Sequence, residues 1–69
     1  MKEVCITSWG NQQNAFVVLQ EYYSTDTSRI EHALNTVPWT SAAMLNDRAT
    51  AFKKAIVANG GKAEIIESK

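Results

Sequence analysis

The spacing of apolar residues alternates along this chain between a period of two and a period near 3.6, and each switch predicts a new element. From Lys2 to Trp9 the pattern is strand-like, with Val4 and Ile6 on one face and Cys5, Thr7 and Trp9 on the other. Gly10 breaks the strand, and Asn11 or Asn14 offers an N-cap to the next element. Ala15 to Tyr23 reads as a helix: Ala15, Val18, Leu19 and Tyr22 recur at three- and four-residue steps, with Gln20 and Glu21 on the polar side. The polar stretch STDTS (24–28) ends it. Ser28 and Glu31 then have the spacing of a capping box, which starts a short helix carrying Ile30, Ala33, Leu34 and Val37 inward. That helix must stop near Pro38, because the residue before a proline disfavours helical geometry.

Trp39 to Leu45, WTSAAML, is weakly patterned and reads as an edge strand. Asn46 is placed to cap the next helix and Asp47 suits its positive end. Ala49, Phe52, Ala55 and Ile56 make a buried stripe there, with Lys53 and Lys54 facing water. Asn59-Gly60-Gly61 closes the helix with residues that tolerate left-handed backbone, and Lys62 to Glu67 forms the last strand. The order is β-α-α-β-α-β. Right-handed crossover makes the second and third strands parallel, with the first between them. The expected fold is therefore a two-layer α+β sandwich: a three-stranded sheet, first strand central, helices on one face.

Length and charge narrow the function. The 69 residues make one small domain, expected to span residues 1–69, and a domain of this size buries only about 60% of its unfolded surface. Hydrophobic residues at 45% supply one core, and charged residues at 20% argue against a disordered tail. Seven basic residues balance seven acidic ones, and Lys53-Lys54 is the one adjacent cation pair, so no basic face is expected to hold nucleic acid. The longest apolar stretch, Ala15 to Leu19, is far short of the roughly 20 residues that span a membrane. A single cysteine and no secretory pattern fit a cytoplasmic protein.

Candidate chemistry is sparse. Cys5 and His32 are the one conceivable nucleophile–base pair, or a thiol sensor, but a dyad needs a third orienting group and a pocket. One Cys and one His fall short of a metal site, and no cofactor motif is present, since Gly60-Gly61 ends a helix where a phosphate loop would open one. The reading is therefore not an enzyme, with no cofactor and no metal. Trp9 and Trp39 carry more weight. In the expected topology they meet at one rim of the sheet, near Asn11, Asn14 and Pro38, either closing the core or forming an interaction patch.

The sequence also resembles two related families. LNDRATAFKKAIVANGGKAEIIESK (45–69) is similar to the capped helix, paired lysines, glycine turn and final strand of the C-terminal domain of the bacterial ribosomal stalk protein. TSRIEHALNTVP (27–38) resembles that domain's proline-terminated helix, and VLQEYYSTD (18–26) resembles the first helix of the ClpS protease adaptor. The resemblance implies the same sandwich and a bacterial binding domain. It also locates the departures. Where the stalk domain presents basic residues to translation GTPases, this chain has Gln20, Glu21, Ser28, Arg29 and Glu31. Where ClpS places an acidic client-binding turn and a histidine, it has Ser8, Trp9, Gly10 and Pro38. The carboxylates that would pair with an α-ammonium are missing.

The expected function is a non-enzymatic protein–protein interaction module that binds a protein or peptide through Trp9, Asn11, Asn14, Pro38 and Trp39. The alternatives are a peptide-binding adaptor for a protease or chaperone, and a stalk mimic acting on translation factors.

Overall fold

The computed structural model describes residues 1–68. In chain order they form β1 (Lys2–Ser8), α1 (Gln12–Tyr22), α2 (Thr27–Leu34), β2 (Trp39–Thr40), α3 (Asn46–Ala58) and β3 (Lys62–Glu67). The sheet order is β2-β1-β3, and β1 runs antiparallel to both neighbours. This is the expected sandwich with the first strand central. Val4 and Ile6 on β1 are fully buried beneath the helices, where they meet Leu19 of α1, Ile30 of α2, and Phe52 and Ile56 of α3. Each such side chain contributes about 1.5–3 kcal/mol on leaving water. Ala15, Ala33 and Ala49, also fully buried, let the helix backbones approach one another.

Strict alternation fails at the end of β1. Ile6 pairs with Ala63 and Ser8 with Lys62, so two steps along β1 match one along β3. Thr7 is the extra residue of a β-bulge, and the bulge reverses the phase of everything after it. Trp9, which alternation assigns to the outer face with Cys5 and Thr7, turns into the core instead and is 4% exposed.

The expected edge strand Trp39–Leu45 is interrupted, and only Trp39–Thr40 is regular. At Ser41 the side chain replaces the ladder: the Val4 amide donates to Ser41 Oγ at 2.9 Å, while the Ser41 amide donates to the Val4 carbonyl at 2.9 Å. Pairing resumes where Lys2 and Met44 exchange two backbone hydrogen bonds at 2.8 Å. Ala42 and Ala43 project between these anchors and stay exposed.

Three helix starts differ in detail from expectation. Asn11 caps α1 by accepting from the Asn14 amide at 3.1 Å, so the helix begins at Gln12, ahead of its first apolar residue. Asp26 caps α2 by accepting from the Ser28 amide at 2.9 Å. The Ser28–Glu31 capping box does not form, because Ser28 already lies inside the helix. Asn46 is likewise the first helical residue of α3, after a Leu45 cap position with no side-chain bond. Val37, expected inward, is exposed, because α2 ends at Leu34.

At one end of the molecule two turns are stitched together. The Asn11 amide donates to the Asn59 carbonyl at 3.0 Å, which joins the β1–α1 turn to the α3–β3 turn. Gly10 sits between them with φ of 68°.

Candidate functional site

The two tryptophans meet as the topology requires, with ring centroids 5.4 Å apart and planes at 48°. They do not meet as an exposed pair. Trp9 is enclosed, and its Nε1–H has no hydrogen-bond acceptor among the described residues. Trp39 is half-buried and continues the stack outward: its ring meets the Tyr23 ring edge-on at 5.1 Å and the Phe52 ring at 6.4 Å. Phe52 in turn stacks on Tyr22 at 5.5 Å, and the Arg48 guanidinium lies 5.0 Å from the Tyr22 ring centre. The aromatics thus run from a closed end at Trp9 to an open end at Tyr22, Tyr23 and Arg48.

The other residues expected at the rim are less engaged. The Asn11 side chain is committed to the α1 cap, Asn14 is exposed in the first turn of α1, and Pro38 is exposed beside Trp39. Trp9 and Trp39 are brought into contact; the surface expected of the pair is held by Trp39 alone.

At the open end lies a groove of about 310 Å³. It is lined by Tyr22 and Tyr23 at the end of α1, by Met44 and Leu45 before α3, and by Arg48 and Phe52 of α3. Its apolar rim is conspicuous: Leu45 is 69% exposed and Tyr23 is 39% exposed. The Arg48 Nη2 donates to the Glu21 carbonyl at 3.0 Å, which satisfies one of the orphan carbonyls at the C-terminus of α1 and favours its dipole. Stacking over Tyr22 fixes the other side of the guanidinium.

The sequence did carry a signal for this place. Tyr22 and Tyr23 are adjacent, and neighbours on a helix point about 100° apart, so the two rings take different directions. Nothing local, however, puts Arg48 against them.

A second cleft, about 430 Å³, lies around the edge of β3 and is lined by Cys5, Thr7, Val57, Lys62 and Glu64 among others. Cys5 points to the helix-free face of the sheet, whereas His32 is exposed on α2 in the helical layer. The sheet separates them, and they make no nucleophile–base pair. Among the described residues no three His, Cys, Asp or Glu side chains gather in a way that could hold a metal ion. The one ion pair there joins Lys2 to Glu67 at 2.6 Å across the β1–β3 ladder. Its hydrogen bond and charge hold the Glu67 carboxyl below the ordinary carboxylate range. Among the described residues no helix is long and apolar enough to cross a membrane.

A scan of protein-family models and searches of curated proteins and solved structures find no match to this chain. The candidate site is therefore defined by its own geometry: an aromatic stack, closed at one end, opening into an apolar groove with an arginine at its mouth.

Proposed function

We propose that this domain is a non-enzymatic protein–protein interaction module that receives a peptide segment of a partner protein in the Tyr22–Tyr23–Leu45–Arg48 groove. One observation carries the reading: Leu45 and Tyr23, from different parts of the chain, both line the same open groove and both stay exposed, 69% and 39%, beside the buried Phe52. Apolar side chains gathered around a depression mark interaction sites, whereas scattered ones need no explanation. At about 310 Å³ the groove is at the low end of ligand pockets, which run roughly 300–1,000 Å³, and it is open to solvent. That size suits one or two side chains of a docked segment.

The resemblance to the stalk C-terminal domain and to ClpS points the same way, toward binding rather than catalysis. The separation of Cys5 from His32 supports a non-enzymatic role, and a lone cysteine fits a cytoplasmic setting. Peptide capture for a protease or chaperone is one form this role could take.

The test is comparative capture. Immobilised wild-type domain retains its partners, and Leu45→Ser and Tyr23→Ser each lose them; a circular dichroism melt accompanies each variant, because Leu45 is the cap position of α3 and Tyr23 packs against Trp39. Equal capture by all three proteins would sink the reading.

A further inference from the structure

Resting on that reading, we infer that the groove selects a segment carrying a carboxylate next to an apolar side chain, and that Arg48 is the residue which recognises the carboxylate. Arg48 has the one charged side chain lining the groove, where Met1, which bears the N-terminal ammonium, also lies. Among the described residues its guanidinium makes no salt bridge, although Asp47 is its neighbour in sequence and it bonds the Glu21 backbone. The guanidinium has five N–H donors in a rigid fork, and a single one is committed, to the Glu21 carbonyl.

Two restraints hold that fork in place: the Glu21 hydrogen bond at 3.0 Å and the Tyr22 ring at 5.0 Å. Immobilising a long side chain normally costs part of the binding energy. Here that ordering precedes the ligand. A pre-placed, planar cation at the mouth of an apolar depression complements a carboxylate held bidentately while a neighbouring aliphatic or aromatic side chain enters the groove. A basic segment is disfavoured there by like charge, and a purely apolar one leaves the arginine unanswered. The groove is open to solvent, so a segment can continue past it on both sides, and the carboxylate assigned here is that of an Asp or Glu side chain within the segment.

Fluorescence polarisation with labelled octapeptides tests this. One set is N-acetylated and C-amidated with Leu-Glu-Phe, Leu-Gln-Phe or Leu-Lys-Phe at the centre. Another ends in Leu-Phe, with either a free carboxylate or an amide. The Leu-Glu-Phe peptide is expected to bind about tenfold more tightly than Leu-Gln-Phe, the ratio for a charge-assisted bidentate pair. The lysine peptide is expected to be the weakest. A preference confined to the free-carboxylate Leu-Phe peptide would overturn the assignment to a side-chain carboxylate.

Arg48→Gln should collapse the charged-to-neutral ratio to near one, and Arg48→Lys should restore part of it. The readout is that ratio rather than the affinity, so a modest loss of stability from the missing Glu21 bond does not imitate the result. Two further outcomes overturn the inference: equal binding of charged and neutral peptides by the wild type, or a preference that survives Arg48→Gln. Equal binding that Leu45→Ser weakens leaves the interaction reading standing. If no peptide binds, and capture of partners is unaffected by Leu45→Ser and Tyr23→Ser, both fall.

Discussion

Trp9 packs against Trp39 at 5.4 Å, yet the two rings lie in different environments: Trp9 is closed off from solvent, while Trp39 reaches the surface beside Tyr23. Truncating a large buried aromatic removes its burial and leaves a cavity, a loss of about 3–5 kcal/mol. Trp9→Ala should therefore cost about that much, and Trp39→Ala less, since part of its ring is already wet. Urea unfolding monitored by circular dichroism ranks the two. Trp39 proving the costlier truncation would contradict the assignment of Trp9 to the core. In Trp39→Phe, the remaining tryptophan should resist acrylamide quenching.

The glycine turn offers a second, sharper comparison. Gly10 has φ of 68°, and a Cβ there would overlap the Asn59 carbonyl oxygen and meet the Gly61 nitrogen at 2.6 Å. Gly60 has φ of 83°, but a Cβ added to it would find nothing within 4 Å. Gly60→Ala should thus cost about 1 kcal/mol for backbone strain alone. Gly10→Ala carries the same strain plus a clash with backbone that cannot yield, and should be clearly worse. Similar melting temperatures for the two variants would mean that the stitched turns are looser than described.

Ser41 stands where a ladder carbonyl would otherwise face Val4. Ser41→Ala leaves the buried Val4 amide without its acceptor, at a cost of about 1–3 kcal/mol. Hydrogen exchange is the direct check: the Val4 amide should lose protection more than its neighbours on β1. Unchanged protection at Val4 would show that the hydroxyl is dispensable.

The two candidate caps of α2 also separate cleanly. Asp26→Ala removes the acceptor for the Ser28 amide and should cost about 1 kcal/mol. Ser28→Ala, inside the first turn, should be nearly neutral. The reverse ranking in denaturant midpoints would restore the Ser28–Glu31 capping box.

Acid should act on the Lys2–Glu67 pair in one direction. The Glu67 carboxyl is lowered in the folded state, first by the Lys2 hydrogen bond and then by the Lys2 charge. A lowered carboxyl contributes stability above its unfolded value and loses it as pH falls through the folded value. Glu67 is fully solvated, so the contribution is small and screened by salt. An NMR titration should place the Glu67 midpoint below that of a free glutamate, with Lys2→Met moving it back up. A midpoint that Lys2→Met leaves in place would remove the pair as its cause.

Much of this fold is legible in the chain because the relevant signals are local. The element order, the central first strand, the span of β3 and the Ala49, Phe52 and Ile56 positions of the α3 stripe follow from periodicity, turn residues and the handedness of crossovers, whereas Ala55, expected in that stripe, is only half-buried. Caps are less legible, since several Ser, Asp and Asn residues compete before each helix and spacing does not choose among them. The aromatic site is the least legible. Tyr22-Tyr23 announces two rings pointing in different directions, but Arg48 reaches the Tyr22 ring only because α1 and α3 lie side by side.

The sequence by itself determined that this is an α+β sandwich with an apolar core and an unusual Trp9-Gly10 turn, because side-chain period and turn chemistry act over a few residues. Only the tertiary structure decided where Trp9 points. The bulge at Thr7 exists in the pairing of β1 with β3, strands from opposite ends of the chain, and a one-residue offset there exchanges inside for outside.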